Sequence, residues 1–262
     1  MKSILEFQKM KHDGRAISMI TCYDYTSATV VNASSIDCIL VGDSLAMTML
    51  GHADTLPATP EIMALHVSSV RRGAPGKFVV GDMPFLAHRG SLDRTLDAVA
   101  QIVRAGAQAV KIEGIDGSVE VIRHIVQSGV PVMSHLGLTP QSVHQMGGYK
   151  VQATEARAAE ILIDQALATQ DAGAFALVLE CVPTAVAQAV TSKLTIPTIG
   201  IGAGSGCSGQ VLVMQDMLGL NTQFRPKFVR QYLNGFETMK AAFDRYDQDV
   251  KSGVFPNANE SY

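Results

Sequence analysis

Short, β-branched apolar runs return along almost the whole chain, each ending in a polar or glycine-rich stretch, and this repetition leaves few folds open. Seven read as strands: Ile17–Thr21, Ile36–Gly42, Phe78–Gly81, Ala109–Ile112, Val130–Met133, Ala176–Leu179 and Thr198–Ile201. An eighth is expected over Met217–Leu220, where the apolar run is weaker. The runs are continuously apolar rather than alternating, as suits a parallel sheet buried on both faces.

Helix-like segments lie between the runs. Thr59-Pro60-Glu61 supplies an N-cap, a first-turn proline and an acid that the helix dipole favours, leading to Arg71, Arg72 and Gly73 at the far end. Ser91 precedes Leu92, Leu96, Val99 and Val103 at helical spacing, and Thr154 is placed to cap the helix that ends near Gly173. Strand, loop and helix repeated about eight times predict either a closed barrel or an open doubly wound sheet. From Pro226 the tail reads as a packing helix through Phe228, Tyr232, Phe236, Met239 and Phe243, with Pro256–Tyr262 as an exposed or partner-docked extension. No linker or composition shift divides the chain, so one domain over residues 1–262, with a C-terminal helical extension, is expected.

A composition of 47% hydrophobic and 17% charged residues is that of an ordinary soluble protein. The net charge of −3 carries no footprint for nucleic acid or an anionic membrane. Cys22, Cys38, Cys181 and Cys207 form no Cys-x-x-Cys pair, which argues for reduced thiols over a zinc site or a disulfide scaffold. Met1–Lys11 lacks a signal-peptide core, and no run approaches the ~18 apolar residues of a membrane span. A cytoplasmic protein is expected.

Acids recur where the strands end. Asp43, Asp82, Glu113 and Glu180 each follow a predicted strand, and in a parallel barrel those ends meet at one face, the face that carries active sites. Four converging carboxylates repel one another unless a cation balances them, and magnesium is the natural partner for oxygen donors. Lys111 lies two residues before Glu113, so strand alternation puts both on one face, where a buried lysine needs an anion. His135 follows the predicted fifth strand as a candidate for substrate contact, proton transfer or a satisfied core histidine. The run Gly200-Ile201-Gly202-Ala203-Gly204-Ser205-Gly206 lacks the Gly-Lys-Ser/Thr ending of a nucleotide loop, so close backbone packing is expected of it.

Ordered blocks of the chain resemble the ketopantoate hydroxymethyltransferase family. They include Thr21-Cys22-Tyr23-Asp24, Leu40-Val41-Gly42-Asp43-Ser44-Leu45, Gly81-Asp82-Met83-Pro84-Phe85 and Val110-Lys111-Ile112-Glu113-Gly114. They continue with His135-Leu136-Gly137-Leu138-Thr139-Pro140-Gln141, Gly147-Gly148-Tyr149-Lys150-Val151-Gln152 and Leu179-Glu180-Cys181-Val182-Pro183. The resemblance implies a (β/α)8 TIM barrel assembled as a homodecamer. It implies Mg2+ held by Asp43 and Asp82 with Glu113 completing the site, and a keto acid contacted by Asp43, Ser44, Asp82 and Lys111. Glu180 would accept the proton, and the co-substrate would be 5,10-methylenetetrahydrofolate. The implied reaction gives 3-methyl-2-oxobutanoate a hydroxymethyl group through a magnesium-stabilised enolate, forming ketopantoate for pantothenate synthesis.

Ser134, Ala46, Ser208 and Gln215 depart from the pattern of that family, and none is a proposed ligand or base. Barrel lyases and mutases of the phosphoenolpyruvate mutase and isocitrate lyase type are a rival reading. They would call for a catalytic cysteine loop, and Cys181 beside Glu180 is the one awkwardly placed thiol. A non-catalytic binding protein on the same fold would lack a ligand or the base, and all four acids are present.

Overall fold

The computed structural model describes residues 2–222 and 225–262, so Met1, where the N-terminal segment considered above begins, lies outside it. The chain divides into two compact units, Met1–Val213 and Met214–Tyr262. In the first, eight parallel strands close on themselves in chain order: β1 (Ile17–Thr21), β2 (Cys38–Val41), β3 (Phe78–Asp82), β4 (Ala109–Glu113), β5 (Val132–Gly137), β6 (Ala176–Glu180), β7 (Thr198–Ile201) and β8 (Gly209–Leu212). Helices connect β1 through β7 in turn, β7 passes to β8 through a loop without a helix, and the ring of strands is closed, which settles the choice left between a barrel and an open sheet.

Period-two alternation fills the barrel. Ile17, Met19, Cys38, Leu40, Phe78, Val80, Ala109, Met133, Ala176, Val178, Ile199 and Val211 form one buried cluster inside it. Phe7 and Met10, on the N-terminal helix Ile4–His12, join that cluster from below. Phe7 meets Phe78 edge-on at 5.3 Å between ring centroids, and Phe78 meets Phe175 at 5.9 Å. Lys11 fastens the plug: its Nζ donates to the carbonyls of Thr191, Leu194 and Ile196 at 2.7–2.9 Å, where the helix Thr184–Lys193 ends. A cation there meets the negative end of the helix dipole and satisfies orphan carbonyls.

Thr59 caps the helix Pro60–Gly73 as expected, its hydroxyl accepting from the Ile62 amide at 3.3 Å. Four expectations need correction. The eighth strand is Gly209–Leu212, not Met217–Leu220, which instead holds the end of the helix Met214–Met217 and a left-handed Gly219. Its apolar signal is thin because the barrel needs glycine there: a Cβ at Gly209 would lie 2.4 Å from the Ile17 carbonyl. The fifth strand starts at Val132 and runs on to Gly137, so His135 lies inside it rather than after it. Glu155, not Thr154, occupies the cap position of the helix Ala156–Asp171. In the second unit the tail helix spans Gly235–Ser252, excluding Phe228 and Tyr232, and Phe236, Met239 and Phe243 are exposed rather than packed. Among the described residues no helix is long and apolar enough to cross a membrane.

Candidate active site

The inward rows of the strands change character as they rise. Phe78 and Val80 are followed by Asp82, Ala109 by Lys111 and Glu113, Met133 by His135, and Val178 by Glu180. Period-two alternation therefore delivers charged groups to the C-terminal mouth from the same faces that build the apolar floor. Register sets the neighbours: Asp82 lies opposite Lys111, Glu113 opposite His135, and Gly137 opposite Glu180.

Lys111 stands at the centre, 4% exposed, with its Nζ 3.2 Å from Asp82 Oδ1 and 3.4 Å from Glu113 Oε1. His135 bridges two acids, Nδ1 lying 3.3 Å from Glu113 and Nε2 3.3 Å from Glu180 Oε2. Asp43 follows β2, and its amide donates to Asp82 Oδ2 at 3.0 Å. Ser44 Oγ meets the Tyr23 hydroxyl at 2.8 Å. Every residue expected at the site thus gathers at one mouth. Asp43, Asp82, Lys111, Glu113 and His135 are buried there, and Glu180 is partly open, its side chain 17% exposed.

Charge explains the ionisation states. Burial, then Glu113 and Asp82, raise the Asp43 carboxyl well above its usual range, and burial raises Asp82 against the pull of Lys111. Burial also raises Glu113, but Lys111 and His135 outweigh it and bring the group down to about 2. For Lys111, burial favours the neutral amine, yet Asp82, Glu113 and Asp43 push it above its ordinary value. Burial and Lys111 lower His135, and its contacts with Glu113 and Glu180 reverse this to about 9, so the ring is a cation at neutral pH. Lys111 and His135 thus offset Glu113, while Asp43 and Asp82, buried beside like charges, are held above their usual range.

A divalent ion would remove that strain. The available donors are oxygens, and magnesium takes one or two carboxylates and leaves its other positions to water and substrate. Asp43 and Asp82 fit that pattern. Among the described residues no group of three or more His, Cys, Asp or Glu side chains is placed to hold a metal ion.

Gln141 was not singled out from the sequence. Buried in the turn after β5, it donates through Nε2 to Asp43 Oδ2 at 2.8 Å and to the Met83 carbonyl at 2.9 Å. Its amide donates to Glu113 Oε2 at 3.1 Å, so one residue ties two of the acids together. Tyr23, fully buried against Ser44, is a second addition. Neither follows a strand or helix period, and their only signal lay inside the blocks shared with the family. Ser134 alternates away from the mouth, and Ser208 pairs with Thr198, its amide donating to Thr198 Oγ1 at 3.1 Å. In the glycine-rich run, a Cβ at Gly204 would lie 2.3 Å from Thr184 Oγ1, so that loop packs against the start of the helix Thr184–Lys193.

The family model for ketopantoate hydroxymethyltransferase matches residues 1–258 of the chain. The 3-methyl-2-oxobutanoate hydroxymethyltransferase of Bdellovibrio bacteriovorus is 55% identical over 262 residues, covering 100% of both chains. Among solved structures, 2,3-dimethylmalate lyase, a member of the PEP mutase/isocitrate lyase superfamily, superimposes with a TM-score of 0.63 at 18% identity, covering 100% of this chain and 92% of its own. Phosphonopyruvate hydrolase in complex with oxalate and Mg++ gives 0.64 at 11% identity, covering 99% and 93%. Those two likenesses speak to the fold.

Proposed function

This chain belongs to the ketopantoate hydroxymethyltransferase family, and from that premise we propose how its residues carry the reaction. The substrates are 3-methyl-2-oxobutanoate, 5,10-methylenetetrahydrofolate and water, and the products are ketopantoate and tetrahydrofolate. Asp43, Ser44, Asp82 and Lys111 hold the keto acid, Lys111 offsetting its carboxylate. Asp43 and Asp82, with Glu113 beside them, would hold magnesium, which would supply Lewis-acid stabilisation of developing negative charge. Glu180 removes the proton from C3 as general base. The carbanionic carbon then forms its bond to the folate methylene, water supplies the hydroxyl, and tetrahydrofolate leaves.

The observation that carries this reading is the row Glu113–His135–Glu180. With both ring nitrogens 3.3 Å from a carboxylate, His135 links Glu113 to Glu180 and fixes the Glu180 side chain at the edge of the mouth. Gln141 positions Asp43 and Glu113 from the other side. The lyase and mutase reading finds no support at Cys181, whose thiol burial pushes up to about 11, away from the reactive thiolate form.

We place the reaction in the cytoplasm, in keeping with the four free cysteines, and assign the working form to a homodecamer on the family resemblance. The test follows the C3 proton of 3-methyl-2-oxobutanoate by NMR in heavy water. With wild-type protein the signal should fade only when magnesium is present, and ketopantoate should appear once the folate is added. Glu180→Gln should keep its fold and lose the exchange by at least about 10²-fold. Exchange at the wild-type rate in that variant would remove Glu180 as the base.

A further inference from the structure

The segment between β5 and the helix Ala156–Asp171 is bent at both ends. After the short helix Val143–Met146 it turns at two successive glycines, Gly147 and Gly148, with φ +66° and +106°. At its far end Ala153 holds φ +55° although it carries a Cβ. Glycine takes such a conformation freely, whereas a non-glycine residue keeps it only where its surroundings enforce it, most often at clamps and switch regions. Between the bends, Tyr149 and Val151 are 50% and 56% exposed, large side chains that the chain leaves uncovered.

This strap crosses the barrel mouth. The Gln152 amide donates to the Cys181 carbonyl at 2.8 Å, directly after Glu180 at the end of β6. The Tyr149 hydroxyl donates to Met47 Sδ at 3.8 Å, in the short helix Leu45–Thr48 that follows Asp43 and Ser44 at the end of β2. In a closed ring of eight strands, β2 and β6 stand on opposite sides, so residues 149–152 run from above Glu180 to above the acids that face it. The electrostatics agree. Burial, then Asp54, Glu180, Asp43 and Glu113, push the Tyr149 phenol above its ordinary value, so the ring feels acids from both sides of the mouth.

The two attachments differ in strength. A backbone amide on a carbonyl at 2.8 Å is a firm anchor, whereas a thioether is a weak acceptor. Beside the thioether contact, His144 Nε2 lies 4.0 Å from Asp54 Oδ2 with its imidazole 81% exposed, and surface pairs of that kind hold little. The strap is therefore fixed beside Glu180 and only lightly fastened above Ser44.

The reaction needs both an open and a closed mouth. Substrates must enter, yet once the C3–H bond breaks and its proton passes to Glu180, water at the mouth can return a proton to that carbon before the one-carbon unit reaches it. We propose that residues 147–153 form a latch, hinged at Gly147-Gly148, that opens to admit substrate and closes with Tyr149 over the keto acid to keep water from the deprotonated carbon. The inference rests on the transferase reading and adds to it the element that commits proton removal to product.

The first test uses the wild-type chain loaded with magnesium. Amide hydrogen exchange, read by mass spectrometry on peptides covering 147–153, should slow at least about tenfold when 3-methyl-2-oxobutanoate is added. Exchange at an unchanged rate overturns the closure. The second test uses Tyr149→Ala, which removes a half-exposed side chain and so spares the fold. In heavy water with magnesium, keto acid and 5,10-methylenetetrahydrofolate, NMR gives the ratio of deuterium gained at C3 of unreacted keto acid to ketopantoate formed. That ratio should rise at least about tenfold over wild type, while C3 exchange without the folate continues. An unchanged ratio, or loss of C3 exchange in the folded variant, overturns the latch and leaves the transferase reading in place. Wild-type protein that neither exchanges the keto-acid proton nor forms ketopantoate overturns both.

Discussion

His88, buried in the segment after β3, makes a prediction through its charge. Burial, and then the neighbouring Arg89, lower its pKa from 6.5 to about 4. The folded chain therefore holds this ring neutral in a range where the unfolded chain protonates it. Stability associated with His88 is intact above about pH 6.5, declines as pH falls toward 4, and declines no further below that value. The full difference is about 3 kcal/mol. His88→Leu removes the titrating group and keeps an apolar side chain in its place. Denaturant melts between pH 7 and 4 should show the variant losing about 3 kcal/mol less stability than wild type. Parallel pH profiles for the two proteins would mean the ring is protonated in the folded state. At this scale the acids were legible in the sequence because each stands at a strand end, a position local pattern reveals. Gln141 and Tyr23 were not, since a turn glutamine and a buried tyrosine acquire meaning only when strands distant in sequence bring Asp43, Glu113 and Ser44 to them.

Among the elements, the pair β5–β6 positions Glu180, the base proposed above. Gly137 ends β5 with φ +93°, and a Cβ there would lie 2.3 Å from the Glu180 carbonyl oxygen and 2.8 Å from Val182 Cγ1. The close approach is what lets the end of β6 seat against β5. Cys181, the next residue, has φ +48° without being glycine, and its amide donates to the Ile201 carbonyl at 2.9 Å, holding the bend from the β7 side. Gly137→Ala adds about 1–3 kcal/mol of backbone strain and pushes Glu180 off its line. A displacement approaching 1 Å costs about 10²-fold in rate. The expected variant has a melting temperature lowered by less than about 10 °C and a kcat lowered by about 10²-fold. A melting temperature that falls with kcat unmoved would show that the glycine serves only the sheet. Seven strands were legible to within a few residues because each is a continuous apolar run. β8 was hidden, since closure there demands a glycine and leaves Gln210 exposed, and a four-residue strand with those two residues has no apolar signature.

For the whole molecule, the open question is what covers the helix Gly235–Ser252. Of its 18 residues, Gly235 alone is buried. Phe236, Met239, Phe243, Tyr246 and Val250 recur at three- and four-residue steps and are 43–65% exposed, so they make one apolar stripe. Lys240–Asp244 and Lys251–Asp247 pairs line the polar side, at N–O distances of 2.6 and 2.7 Å. Such exposed pairs contribute only tenths of a kcal/mol, too little to hold a helix of this length without packing. An apolar stripe this continuous is what an interface between subunits requires. The sequence pattern made the helix legible and its packing misleading, because periodicity shows that a face must be buried but not which chain buries it. If the protein assembles as proposed, this stripe belongs to the contact, and Phe243→Asp should break it. A buried phenylalanine is worth about 1.5–3 kcal/mol, so each contact should weaken by roughly 10–100-fold. Phe243 is 65% exposed within its own chain, so the substitution leaves the folding of the single chain nearly unchanged. Sedimentation velocity at micromolar concentration should show a large wild-type species and a much smaller variant species with the same far-ultraviolet circular dichroism. Identical sedimentation of the two would place the subunit contacts elsewhere and leave the stripe without a role in assembly.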